Sequence, residues 1–445
     1  MPGHKIVMFP WFAFGHMTPF LHLANELAEK GNKIVVLLPK KAVKQLEHFN
    51  QHPDSITLHP LTIPAVDGLP PRAETASDIP IHLTSYLCIA MDRTRDQLEK
   101  VISETKSALV IYDLAYQVPE VAKANGIKSM QYAVVSASSR AEDRAITEEE
   151  LALPPQGYPS SKIVLRAHEA RSLMFISQPF GEDVTFFERS LISMKECDAI
   201  AIRTCSELEE QLCNYIGSQY NKPVFLTGPV LPEPPSVALE EKWANWLSGF
   251  EPGSVIYCAF GSQFILDKKQ FQELCLGFES TGLPFLAALK PPTGSSTIEE
   301  ALPEGFEERV KGRGMVWGGW VQQMHILNHP SIGCFVSHCG FGSMWESLLS
   351  NCQLVLVPHL GDQILNARLL ADELKVAVEV EREADGWFSK ENLCNAIKSV
   401  MDRQSEFAST LKANHAKWKE TLSCPGFMAN YMDNFIQNVE DLLKK

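Results

Sequence analysis

The chain has 445 residues, 45% hydrophobic and 21% charged, which exceeds one compact core and predicts two domains of ordinary globular composition. Its 54 acidic and 40 basic residues leave a net charge of −14, a field that repels nucleic acid and anionic lipid surfaces and excludes both as expected partners. Eleven scattered cysteines without a CxxC pair, no run of spanning-helix length, and an apolar N-terminal stretch broken by Pro10, Gly15 and Pro19 predict reduced thiols in a cytoplasmic chain with no stable membrane insertion.

From the N-terminus, a β-branched run at 5–9 leads into Trp11-Phe-Ala-Phe-Gly-His-Met-Thr18. There Thr18 fits a helix N-cap and Pro19 the first helical position, ahead of Leu23, Leu27 and Ala28 at helical spacing. His16 then stands just before a helix N-terminus, whose positive end disfavours imidazolium and keeps a neutral, proton-accepting ring; a structural loop histidine is the plainer alternative. Runs at 33–38, 108–112, 130–135, 199–203 and 224–226 follow, with helical stretches between, the rhythm of a parallel sheet. Asp113 ends the run 108–112 at the sheet edge that carries His16, where a carboxylate either caps the strand or orients the imidazole. Trp11, Phe12, Phe14, Tyr86, Tyr132 and the segment 174–187 offer aromatic surface for core or for a planar acceptor.

The proline-dense stretch 228–235 continues neither strand nor helix and sets a domain boundary near residue 234. A second series of strands follows at 254–260, 285–289, 315–317, 334–337, 354–357 and 376–380. Open parallel sheets gather their chemistry beyond the carboxyl ends of strands, so a cleft between the two sheets is expected. Gly261-Ser262 follows the first of these strands as an ordinary or a phosphate-side turn. The run 334–337 leads into His338-Cys-Gly-Phe-Gly-Ser343 and a helix expected to open at Met344, where small residues admit a diphosphate to helix N–H groups.

Gly340-x-Gly342 has Trp345 where the dinucleotide fingerprint needs its third glycine, and GxxxxGK[ST] is absent, which disfavours dehydrogenases and P-loop enzymes. Ser343-x-x-Glu346 reads either as a capping box or as a carboxylate for ribose hydroxyls, and His338 as a core residue or a phosphate contact. No Asp-x-Asp occurs, and His325 and His329 lack a third ligand, so no metal is expected. The stretch 427–443 is amphipathic through Met428, Met432, Phe435, Val439 and Leu442.

The 44 residues from Trp320 to Gln363 resemble the nucleotide-sugar signature of plant secondary-product UDP-glycosyltransferases. They match it at Trp320, Gln323, Ile326-Leu327, His329-Pro330, Gly333, Phe335, His338-Cys339-Gly340, Ser343, Glu346, Pro358 and Asp362-Gln363. The resemblance implies an α/β GT-B fold, two facing Rossmann-like parallel-sheet domains with an inter-domain cleft. Residues 1–233 would bind the acceptor and 234–424 the UDP-sugar, with 425–445 a helix returning to the first domain. It further implies that Trp320 stacks on uracil beside Val321, and that Gln323 and Glu346 hold ribose. His338, Gly340, Phe341, Gly342 and Ser343, with Gly261 and Ser262, would meet the diphosphate, and Asp362 and Gln363 the sugar hydroxyls.

His16 and Asp113 match the family's base and its partner, which implies metal-free transfer with inversion and no permanently bound cofactor. The implied donor is UDP-glucose first, then UDP-xylose, UDP-arabinose or UDP-rhamnose; the implied acceptor is a small plant phenolic or terpenoid, and the implied state a monomer. One departure is that the usual Trp-Asn after His-Cys-Gly is Phe341-Gly342 here, so a backbone N–H must replace the lost side-chain donor. The run HCGFGSMWESLLSNCQ resembles the branch that extends sugars already carried by flavonoids and similar glycosides. Transfer to a bare aglycone and non-catalytic UDP-sugar binding are the competing functions.

Overall fold

The computed structural model describes residues 3–140, 147–182, 184–230, 238–261, 264–359 and 361–445. The first sheet holds β1 (Lys5–Phe9), β2 (Lys33–Pro39), β3 (Ile56–Leu61), β4 (Leu109–Tyr112), β5 (Lys128–Ala133), β6 (Ala199–Ile202) and β7 (Val224–Leu226). Its order is β3-β2-β1-β4-β5-β6-β7. The second holds β8 (Val255–Ala259), β9 (Phe285–Ala288), β10 (Gly314–Trp317), β11 (Ile332–Ser337), β12 (Gln353–Leu356) and β13 (Ala377–Glu379), ordered β10-β9-β8-β11-β12-β13. All pairings are parallel, and β4, β6, β8 and β12 are buried along their whole length, as crossover helices on both faces require. Strand order reverses between β1 and β4 in one sheet and between β8 and β11 in the other. Crossovers diverge at such a reversal and leave a crevice at the carboxyl ends of the strands.

β3 carries no clear signal in the sequence. Ile56-Thr-Leu-His-Pro-Leu61 holds a proline and a histidine, and it forms a strand because it lies at the sheet edge, where an absent N–H costs no ladder bond. The helix after β1 also differs from expectation. It spans Phe14–Glu29 with Ala13 as N-cap, not Thr18, and Pro19 lies inside it. The N–H groups of His16 and Met17 already bond Ala13 O at 2.9 Å, so the first turn closes before the threonine. Pro19 removes the N–H that Gly15 O would accept, and Gly15 is exposed to solvent, so the lost bond leaves no buried acceptor.

By contacts the chain forms two compact units, one of Met1–Ser161, Leu173–Leu231 and Gly426–Lys445, the other of Lys162–Ser172 and Pro232–Pro425. Residues 162–172 thus join the second unit. Most of the proline-dense stretch, from residue 231 on, lies outside the described residues. The first core joins β1, β2, β4 and β5 to the apolar stripe Met432, Phe435, Val439 and Leu442 of helix Phe427–Lys444. That helix is also pinned by Tyr431, whose hydroxyl accepts from Ser206 N at 2.7 Å and donates to Glu207 Oε2 at 2.6 Å. The second core packs helices Lys268–Thr281 and Lys390–Met401 on β8, β9, β11 and β12. No helix among the described residues is long and apolar enough to cross a membrane.

Candidate active site

In the first unit, β1 and β4 pair Phe9 with Tyr112, and Asp113 N donates to Phe9 O at 3.3 Å, which places Asp113 at the carboxyl end of the sheet. His16, in the first turn of helix Phe14–Glu29, brings Nδ1 onto Asp113 Oδ2. The aspartate side chain is fully buried, and the imidazole keeps 22% of its surface exposed. A carboxylate accepting from Nδ1–H fixes the tautomer that leaves Nε2 as a proton acceptor, on the ring edge away from Asp113. Both residues come from the reversal between β1 and β4, although His16 sits inside the helix and not ahead of it.

The aromatics of the same unit run from core to surface, with buried Trp11 stacked on Phe12. Phe12 and Tyr132 are core; Tyr132 packs edge-on to Phe20 at 5.1 Å, and burial pushes its hydroxyl up to about 12. Trp11, Phe180, Phe186 and Phe175 form a chain of rings, with centroids 5.8, 5.1 and 5.7 Å apart in turn, and Phe175 at its end is exposed.

In the second unit, the chain leaving β8 reaches Gly261 two residues past the strand, and β11 runs into His338-Cys339-Gly340, the two arms of the other reversal. The His338 ring lies between two glycines: a Cβ at Gly261 would sit 2.8 Å, and one at Gly340 2.6 Å, from His338 Nε2. Cys339 takes the left-handed conformation at φ 64, which turns the chain from strand to helix. Burial lowers His338 to about 4, so it is a neutral ring at physiological pH and meets a ligand as a hydrogen-bonding group, not as a cation. Ser262 lies outside the described residues.

The helix after this turn spans Phe341–Leu348 with Gly340 as N-cap, three residues before the expected opening at Met344. Met344 N bonds Gly340 O at 2.9 Å, which leaves the amides of Phe341, Gly342 and Ser343 ahead of the helical ladder. Ser343 is therefore no N-cap, and the capping-box reading of Ser343 and Glu346 fails. Both face Gln323 instead, whose Nε2 lies 3.1 Å from Ser343 Oγ and 2.6 Å from Glu346 Oε2. The hydroxyl of Tyr257 donates to Gln323 Oε1 at 3.2 Å, completing a polar cluster at one end of the turn. Trp320 is 78% exposed above buried Val321.

Asp362 and Gln363 open helix Asp362–Arg368. Gln363 Oε1 accepts from His359 N at 3.2 Å. Asn366, fully buried, donates to Asp362 Oδ2 at 3.1 Å and to Cys339 O at 2.9 Å, which ties this helix to the His338 turn. Sequence reasoning missed both Tyr257 and Asn366. Tyr257 sits mid-strand among core residues, but the four-residue spacing of Asn366 from Asp362 on one helix face was a readable signal.

Four buried imidazoles carry a pH consequence. Desolvation lowers His338 to about 4 and His22 to about 3, and lowers His359 and His415 as well. The unfolded chain takes up these protons near pH 6.5, about the ordinary histidine value, while the folded chain resists. Their contribution is present above pH 6.5 and lost as pH falls toward the folded values. Calorimetry from pH 7.5 to 5 is expected to show a falling unfolding midpoint, and a flat profile would contradict these neutral rings.

Residues 308–416 match the family model for UDP-glucoronosyl and UDP-glucosyl transferase, and residues 4–232 match a glycosyltransferase N-terminal domain. The chain is 59% identical over 440 residues to UDP-glycosyltransferase 79B6 of Arabidopsis thaliana, covering 98% of this chain and 97% of that protein. It is 57% identical over 455 residues to the same plant's anthocyanidin 3-O-glucoside 2'''-O-xylosyltransferase, covering 99% and 97%. Its fold matches the crystal structure of Arabidopsis thaliana UGT89C1 complexed with UDP-L-rhamnose, with a TM-score of 0.79, 22% identity and full coverage of both chains, a GT-B architecture.

Proposed function

The chain belongs to the plant UDP-glycosyltransferases, and from that premise we propose that it moves a sugar from a UDP-sugar onto a sugar hydroxyl of a flavonoid glycoside or similar plant glycoside. The observation that carries the chemistry is the hydrogen bond between His16 and buried Asp113. His16 Nε2 takes the proton of the acceptor hydroxyl, and the oxygen forms a bond to the anomeric carbon of the donor. The bond from that carbon to the β-phosphate oxygen breaks with inversion, and UDP carries away the electron pair. Asp113 stabilises the imidazolium so formed.

On the donor side, Trp320 with Val321 stacks on uracil, and Gln323 and Glu346 take the ribose hydroxyls. Glu346 suits this as a carboxylate, which accepts at up to four lone-pair positions, one of them meeting Gln323 Nε2. The diphosphate meets the amides of Phe341, Gly342 and Ser343, beside Gly340, Gly261 and neutral His338, a donor set that stabilises the departing charge. Asp362 and Gln363 take the sugar hydroxyls. The missing Asn is replaced by backbone: a Cβ at Gly342 meets nothing within 4 Å, so the position is open. Gly342→Asn is expected to lower the KM for UDP-sugar several-fold by adding one donor worth about 1 kcal/mol. An unchanged KM would mean the amides already saturate the phosphate.

The relative named for an anthocyanidin 3-O-glucoside acceptor supports the glycoside substrate. Eleven cysteines without a disulfide support a cytoplasmic site of action. Mass spectrometry of the purified protein with quercetin, its 3-O-glucoside and a panel of UDP-glucose, UDP-xylose, UDP-arabinose and UDP-rhamnose tests the reading. Growth of the glucoside alone is expected, and the mass gained names the sugar. Growth of quercetin alone would overturn the glycoside acceptor.

A further inference from the structure

Arg189, on helix Phe186–Glu196, has no exposed surface and is the only cation among the largest fully buried side chains of the described residues. Its guanidinium makes a two-pronged bond to Asp92, Nη1 to Oδ1 at 2.9 Å and Nη2 to Oδ2 at 2.6 Å, at the end of helix Thr84–Asp92. Nη1 also donates to Leu114 O at 3.0 Å, and Nε to Phe180 O at 2.9 Å. The plane lies over the Tyr116 ring, 4.6 Å from its centroid. Gly181 is moulded to it, since a Cβ there would come within 2.1 Å of Nη2.

Two of these acceptors bear on the site. Leu114 directly follows Asp113, so the aspartate's backbone is held on one side by the Phe9 carbonyl and on the other by the guanidinium. Phe180 is the ring between Trp11 and Phe186 in the aromatic chain. The fork geometry, with donors fixed in one plane, reaches both at once and is beyond a lysine's single ammonium.

We infer that Arg189 is a positioning residue that sets the Asp113–His16 pair and the Trp11–Phe180–Phe186 ring chain in one register, so that acceptor binding and proton transfer depend on the same buried guanidinium. The inference rests on the reading of His16 as the base and of the ring chain as acceptor surface. A change at Arg189 then acts on kcat and on the acceptor KM together and spares the donor.

The test is steady-state kinetics of Arg189→Lys in the full chain, varying acceptor and UDP-sugar separately, together with nuclear magnetic resonance of the labelled His16 ring. The expected result is a kcat lowered at least 10-fold, on the scale of a displaced general base, and an acceptor KM raised several-fold. The UDP-sugar KM should stay within about two-fold, since no donor group touches Arg189. The His16 ring should lose its single Nδ1–H tautomer. A variant with a lower melting point but unchanged kcat, acceptor KM and tautomer would overturn the inference and leave Arg189 a purely structural residue. Should Arg189→Lys fail to fold, Asp92→Asn, which keeps the volume and loosens the fork, is expected to shift the same quantities in the same direction, and unchanged values there would overturn it equally. If the wild type transferred no sugar to any acceptor, the proposed function would fall, while the His16 tautomer would still decide the role of Arg189.

Discussion

His16→Ala is expected to lower kcat by about a thousand-fold while leaving UDP affinity unchanged, the size of effect a positioned general base supplies. The reason is local: the ring is the group at the β1 and β4 edge whose tautomer is set by a buried carboxylate, with Nε2 left to accept. Asp113→Asn should cost nearly as much, because an amide can present N–H to Nδ1 and reverse the tautomer without moving the backbone. UDP release with acceptor, measured beside UDP titration calorimetry, separates chemistry from binding. The second unit folds around its own core and carries the residues proposed for the donor, so UDP affinity should survive both changes. Equal turnover by His16→Ala and wild type would remove this residue from the mechanism.

The largest stability effect is expected at Arg368→Leu. This arginine ends helix Asp362–Arg368 and pairs with Glu169 and Glu379, all three with side chains no more than 8% exposed. Arg166 adds a longer contact to Glu379 at 3.5 Å. The pairing explains why residues 162–172 belong to the second unit: Glu169 carries the segment's buried charge to Arg368. Removing the cation takes the short ion pair from two desolvated carboxylates and leaves them their weaker contacts with Arg166, and breaking a buried pair in this way costs about 3–5 kcal/mol.

The pH dependence of that loss has a definite sign. Burial already holds Glu379 above the ordinary carboxylate value, against the opposing pull of Arg368 and Arg166. Without Arg368 its folded value rises further, so the folded variant keeps a proton that the unfolded chain releases. A group shifted upward contributes stability at low pH that is lost as pH rises through its folded value. The deficit relative to wild type should therefore be widest at neutral pH and narrow toward pH 5, as read from thermal unfolding at several pH values. Adding Glu169→Gln and Glu379→Gln to the variant should recover much of the loss. A deficit that grew on acidification would contradict the buried pairing.

Much of the fold was readable because parallel strands buried on both faces appear as short β-branched runs between helical stretches, a pattern that needs no partner to be seen. β3 escaped since its edge position, and not its composition, lets Pro60 stand in a strand. Helix starts were misread twice for one reason. Ala13 and Gly340 cap without a side-chain bond, while Thr18-Pro19 and Ser343-x-x-Glu346 offered stronger local signals that the backbone did not use. At Glu346 the carboxylate accepts from Gln323 Nε2.

The chain's order of residues alone carried the family signature from Trp320 to Gln363 and every strand but β3, and it set His16 and Asp113 at one sheet edge with a plainer structural reading open for each, because these rest on contiguous spacing or on strand ends that share an edge. Only folding revealed the groups that hold those residues in place. Arg189 reaches Asp92 across 97 positions and Leu114 across 75, and Arg368 reaches Glu169 across 199. A charge becomes a keystone when burial strips it of water and leaves its geometry to a few distant acceptors, and burial is a property of the packed chain that no local pattern of residues encodes.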